Sequence, residues 1–173
     1  VVVNAVVVTL SPIYPGVESG TIRADGGPWT DFTAGESNSD ITKTCQFFVS
    51  YNIAGIPAGS TITEVKIDFN DYSTEGNPIP GLGVLRMYLG NIGAALDSTD
   101  FVSGFPSGNI ADWGSLAALN VVEVSPELKT ALQSKIGTSR LVLRIQFGSS
   151  NMDGVKDRIT FINPSLVVTY TAP

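Results

Sequence analysis

Arg140-Leu141-Val142-Leu143-Arg144-Ile145-Gln146-Phe147 is the stretch that decides the fold of this chain. Leu141, Leu143, Ile145 and Phe147 alternate with Arg140, Val142, Arg144 and Gln146. That period of two sends successive side chains to opposite faces of a β-strand. The pattern recurs in 61–70, where Val65, Ile67 and Phe69 stand between Glu64, Lys66 and Asp68, with Ile62 out of phase at the entry. Runs rich in β-branched and aromatic residues at 17–23, 29–34, 43–51, 83–89, 120–124, 158–162 and 165–170 read as further strands, and turn residues such as Asp25-Gly26-Gly27-Pro28 separate them. One helix is expected over 126–136. Ser125 is its N-cap, Pro126 its first residue, Glu127 adds charge in the first turn, Leu128, Ala131, Leu132 and Ile136 form one face, and Gly137 ends it. Nine or ten strands with one short helix predict an all-β fold: a two-sheet antiparallel β-sandwich of jelly-roll type. Helices do not alternate with strands, which argues against a parallel α/β sheet.

Working outward, the N-terminus is Val1, Val2, Val3, Asn4, Ala5, Val6, Val7, Val8, Thr9 and Leu10, stopped by Ser11-Pro12. It is a strand by composition, and too short for the ~20 apolar residues of a spanning helix. Val6, Val7 and Val8 are apolar on both faces, so cover is expected on both sides. The chain divides into an arm, 1–12, and a single sandwich domain, 13–173. The arm can be the first strand of its own sandwich or can fill a neighbour's sheet, with Val1, Val2, Val3, Val6, Val7, Val8 and Leu10 as the contacts. The residues leave both open.

Composition narrows function. The 173 residues carry 16 acidic and 10 basic groups, net −6, with no basic footprint for nucleic acid and no patch for an anionic membrane. Histidine is absent, which removes Ser-His-Asp catalysis and His-ligated zinc. Cys45, the single cysteine, reads as a small buried hydrophobe. Few charges, the abundance of Gly, Ser, Thr, Asn and Val, and a start without Met give the expectation of a processed, secreted protein. No Asn-x-Ser/Thr acceptor occurs, because Asn163-Pro164-Ser165 carries Pro.

Loop acids are the candidate site residues. Asp25, Asp31, Glu36 and Asp40 flank one loop region; Asp68, Asp71 and Glu75 form a second group; Asp97 and Asp100 a third; Asn151, Asp153 and Asp157 a fourth. Calcium takes six to eight oxygens of this kind, though no group has the spacing of an EF-hand. The other reading is solvated turn residues. Two carboxylates would also suffice for a glycosidase. Trp29 and Tyr14, near turns, are candidates for a sugar-binding platform, against the reading that they pack the core.

Phe47-Phe48-Val49-Ser50-Tyr51-Asn52, the turn Ile56-Pro57-Ala58-Gly59, and Thr61-Ile62-Thr63-Glu64-Val65-Lys66-Ile67 resemble the secreted β-sandwich domains called DNRLRE domains. Leu96-Asp97-Ser98-Thr99-Asp100-Phe101 and Pro164-Ser165-Leu166-Val167-Val168-Thr169-Tyr170 extend the resemblance over about 17–171. With its added apolar strand the chain also resembles extracellular archaeal filament and tube subunits of the cannula type. That resemblance implies a non-enzymatic structural protein. Its N-terminal strand would complete the sheet of the next copy, in a head-to-tail homopolymer with calcium between subunits. The ligands chosen are Asp97 and Asp100, in a family-like segment, with Asp25, Asp31 and Glu36, which crowd Gly-rich turns. The alternative is a secreted carbohydrate-binding module taking an extracellular polysaccharide.

Overall fold

The computed structural model describes residues 4–23, 25–36, 43–69, 71–104, 107–120, 123–151 and 153–173. Two antiparallel sheets face one another. The smaller has the order β1 (Ala5–Leu10), β13 (Ser165–Thr171), β6 (Thr61–Asp68), β10 (Glu123–Val124). The larger runs β7 (Tyr72–Glu75), β12 (Arg158–Phe161), β4 (Phe32–Glu36), β5 (Thr44–Asn52), β11 (Arg140–Gln146), β8 (Leu85–Leu89), β9 (Ala111–Trp113), with the hairpin β2 (Gly20–Arg23) and β3 (Gly26–Trp29) joined to β5. The all-β, two-sheet reading of the sequence is what is found.

Phe47, Val49 and Tyr51 of β5, Leu141, Leu143 and Ile145 of β11, and Leu85 and Met87 of β8 share one buried cluster with Val65 and Ile67 of β6 and Leu166, Val168 and Tyr170 of β13. These are alternate positions of each strand, so the period of two in the sequence is the period of core contact. Phe69 stands edge-on to Trp113 at 5.0 Å and lies 4.6 Å from Phe161, closing one end with aromatic rings.

Several boundaries differ from expectation. The expected strand 29–34 is broken at Thr30-Asp31 into β3 and β4, and that of 17–23 begins only at Gly20. Strands β7 and β9 and two helices, α1 (Pro78–Leu82) and α2 (Leu116–Leu119), were not expected; all are too short to show a period. The third helix, α3, is Pro126–Gln133 rather than 126–136. Its start is as read: Ser125 Oγ accepts the Leu128 N–H at 3.1 Å. Its end comes early because the Lys135 and Ile136 N–H groups donate three residues back, to Leu132 and Gln133, and tighten the last turn.

One edge of β5 carries β11 from Phe47 to Asn52. The other edge serves three segments in succession: β4 at Thr44 and Cys45, β2 from Gln46 to Phe48, then residues just after the N-terminal strand, where the Ile13 N–H donates to the Ser50 carbonyl and Pro12 bridges Tyr51. A second, smaller apolar cluster lies on the outward face of this sheet. There Ile92 and Leu96 cover Ile22, Phe48 and Val142, with Phe101 beside them.

Candidate functional site

Strand β1 pairs antiparallel with β13 of its own chain, from Ala5 opposite Thr171 to Leu10 opposite Leu166. Even positions face inward, over Tyr170, Val168 and Leu166, and Val8 and Leu10 pack on the core. Odd positions face out: Val7 is 63% exposed, and even Val6 remains 37% exposed. The Val6-Val7-Val8 run is therefore covered on one face only, where the sequence led us to expect two. Val1, Val2 and Val3 lie outside the described residues. Among the described residues the far edge of β1 pairs with no other strand. Beyond Leu10 a single residue, Ser11, separates this strand from Pro12, which already belongs to the opposite sheet.

The five acids selected from the sequence stand in separate local structures. Asp25 pairs with the Arg23 Nε at 2.9 Å and with Lys43, and the hydrogen bond from Lys43 leads in holding its carboxyl below the usual range. Asp31 accepts from the Thr33 hydroxyl at 2.6 Å. Asp97 and Asp100 form a reciprocal cap around one 3-10 turn, Ser98–Asp100. Asp97 accepts from the Thr99 hydroxyl and N–H, which hold its pKa below the ordinary value, while the Asp97 N–H donates to Asp100. Among the described residues no three acids, cysteines or histidines come together as a metal cluster.

Glu36 is fully buried, and the structure joins it to a group that the sequence kept apart. Its Oε1 accepts from the Ser150 hydroxyl and its Oε2 from the Asp157 N–H at 3.1 Å. Asp157, also buried, accepts the Asn77 N–H at 2.6 Å on one oxygen and the Asn151 side-chain amide on the other. Each carboxylate oxygen thus has a donor, and the five residues tie α1, the end of β4 and the loop before β12 into one polar knot. Buried carboxylates persist when hydrogen-bonded in this way.

A second polar group went unnoticed in the sequence. Gln46, Tyr88, Arg144 and Gln146 project from the outward face of β5, β8 and β11, all at least nine-tenths buried. The Arg144 guanidinium lies 4.8 Å from the centre of the Tyr88 ring, and burial lowers its pKa, with Tyr88 opposing. Gln46 Nε2 donates to the Val102 carbonyl at 2.9 Å, and Gln146 Nε2 to that of Gly104. Alternation had marked Arg144 and Gln146 as polar-face residues; that face is covered because residues 90–104 cross it.

Trp29 and Tyr14 are both exposed, at 38% and 66%. Arg23 stacks on Trp29 at 4.6 Å. Tyr14 has φ +46°, with its carbonyl accepting the N–H groups of Val17 and Glu18 at 2.9 Å. Among the described residues no helix is long and apolar enough to cross a membrane.

Comparison with known proteins adds no identity. No family model matches the chain, and no curated protein matches it.

Proposed function

We propose that this chain is a secreted, non-enzymatic structural subunit that assembles head-to-tail by strand exchange, β1 of one copy filling the place beside β13 of the next. The observation that carries this reading is the attachment of β1. It meets the rest of the sandwich along one seam, with β13, and one residue, Ser11, separates it from Pro12 on the opposite sheet. A short connection that must cross between sheets favours opening, and the same seam re-forms between copies. Backbone hydrogen bonds would give affinity, and the pockets taking Val8 and Leu10 would give register. Such contacts do not close, so they propagate.

Calcium belongs to this proposal as a bridge between subunits, taken by Asp25, Asp31, Asp97 and Asp100, which do not converge within one copy; Glu36, fully buried with both oxygens engaged, is not among the bridging groups. A net charge of −6 makes neighbouring copies repel, and a divalent ion between acidic loops relieves that repulsion.

Size-exclusion profiles and negative-stain images of the full chain and of a chain lacking residues 1–10 test the reading. Calcium is compared with sodium chloride at matched ionic strength. Polymer from the full chain alone, increased by calcium beyond the matched salt, is expected. Equal polymerisation of the truncated chain removes strand exchange, and equal action of the two salts removes calcium.

A further inference from the structure

We propose that the free edge of β1 pairs antiparallel with the same edge of a second copy, across a two-fold axis at Val7, and joins two four-stranded sheets into one. This does not rest on strand exchange, because that edge stays open whether β1 lies beside β13 of its own chain or of another. Pairing breaks no contact already made, since β13 holds the opposite edge. The other strand edges among the described residues are guarded. Strand β7 is four residues long and carries Glu75, β9 is three with Asp112, β10 is two with Glu123, and β3 contains Pro28. A short length, a charge or a proline keeps an edge from taking up another chain. Strand β1 runs six residues, Ala5–Leu10, with no charge and no proline.

The same edge leaves the core unfinished. Val6 faces inward, opposite Tyr170, yet it is 37% exposed, whereas Tyr170, one strand further in, is buried. Strand β1 is the last of its sheet, so no neighbour flanks Val6 on that side among the described residues. The occupant must bring an extended backbone and small apolar side chains, and a second β1 brings both. Charge also admits a copy of this chain. No Asp, Glu, Lys or Arg precedes Glu18, so the net charge of −6 lies away from the edge. The nearest charged strand of the sheet is β6, where Glu64 and Lys66 pair with one another at 2.9 Å. In the joined sheet the two β6 strands stand five spacings apart, ~24 Å, well beyond the ~8 Å over which charges act in physiological salt.

Side-chain facing fixes the register. Inward residues of one copy must lie beside inward residues of the other, so even positions oppose even and odd oppose odd. Centred on Val7, the pairing sets Val6 beside Val8 of the second copy and Ala5 beside its Thr9. Each half-finished Val6 then gains an apolar neighbour from the other chain. This register ends at Leu10, the last residue of β1 before Ser11 and Pro12 carry the chain to the opposite sheet. Centring on Val8 would instead require Ser11 to pair with Ala5. The contact is isologous, so it closes at two copies, unlike a head-to-tail contact. One strand seam buries little beside the ~1,200–2,000 Å² of a stable interface, so the dimer is weak and concentration-dependent.

The test places a thiol at one of two exposed positions of the full chain, Val7→Cys or Thr9→Cys. Cys45 is buried and does not compete. In the paired register the two Val7 positions stand ~5 Å apart, within disulfide reach, and the two Thr9 positions ~14 Å apart, outside it. Under mild oxidation Val7→Cys should give a linked dimer at least roughly tenfold faster than Thr9→Cys. Sedimentation equilibrium of the parent should show a monomer and a dimer as concentration rises to ~1 mM. Val7→Lys sets like charges opposite one another and should weaken that dimer roughly tenfold. Equal linking by the two thiol variants, linking by neither, a parent that stays monomeric, or an undiminished dimer of Val7→Lys overturns the proposal. Polymer without selective linking at Val7 overturns it and leaves strand exchange standing. Selective linking without polymer upholds it and removes strand exchange alone.

Discussion

The Asp157 N–H donates to Glu36 Oε2 at 3.1 Å, and the Glu36 N–H donates to the Asp157 carbonyl at 2.8 Å, so each residue holds the other's backbone and one holds it with its side chain as well. The Asp157 carboxylate then reaches on to Asn77 and Asn151. Asp157→Ala removes the acceptor of both donors, whose hydrogen bonds are partly buried, and a loss of about 1–3 kcal/mol is expected. Urea unfolding measures it. A variant as stable as the parent would show that the knot carries no stability.

Gly81 is one of the places where that carboxylate crowds the main chain. A Cβ there would stand 2.4 Å from Asp157 Oδ2 and 2.8 Å from Asn151 Nδ2, whereas a Cβ at Gly55 would meet nothing within 4 Å. Gly81→Ala is expected to cost ~1–3 kcal/mol, and Gly55→Ala to stay within about 0.5 kcal/mol. Thermal unfolding of the two variants compares them directly, and equal midpoints would contradict the close approach.

Cys45 is buried beneath the Glu36 carbonyl, and burial, with the charge of Asp31 adding, pushes its thiol from 9.0 up to about 12. The folded chain keeps this proton through a range in which the unfolded chain loses it. Stability is therefore unaffected by the thiol below about pH 9 and falls as pH rises toward about 12. Between about pH 8 and about pH 10.5 the share of this thiol is a loss of roughly 2 kcal/mol. Denaturant midpoints of the parent and of Cys45→Ala at both pH values check it: the parent should lose more on going to high pH. In the folded state the thiol should also resist alkylating reagents.

Val7 and Val8 are neighbours with opposite surroundings. Val8→Asp sets a carboxylate against Val168 and the core, and should release β1 and prevent any seam with β13, in cis or in trans. Val7→Asp should leave the monomer's stability within about 0.5 kcal/mol, because Val7 is exposed. Proteolysis of the N-terminus and size-exclusion profiles read both effects. Equal release by the two variants would contradict the observed facing of the strand.

Much of this fold is legible in residues 61–70 and 140–147, where side-chain period and core contact coincide, and in Ser125-Pro126, which places the start of α3 to the residue. What escapes the sequence has a common cause. Strand β11 alternates as though Arg144 and Gln146 met water, yet every residue from Leu141 to Gln146 is buried, because residues 90–104 lie across its second face. Nothing within the strand announces that cover. The acids illustrate the same limit. Glu36 was grouped with Asp25 and Asp31 by sequence distance, whereas its partner, Asp157, arrives through the pairing of β4 with β12, from Gly35 opposite Arg158 to Phe32 opposite Phe161.

Tyr51 has a place in how such an assembly would bear tension. Its backbone bridges Pro12, the first anchored residue after β1, and its hydroxyl donates to the Pro164 carbonyl at 3.0 Å, immediately before β13. In a strand-exchanged polymer, pull enters one copy along β13 and leaves it at Pro12, so one buried side chain spans the two points of attachment. Load would pass through this corner and leave most of the sandwich slack. The exchanged strand itself would be pulled along its length, in shear, with all six residue pairs of the seam loaded at once.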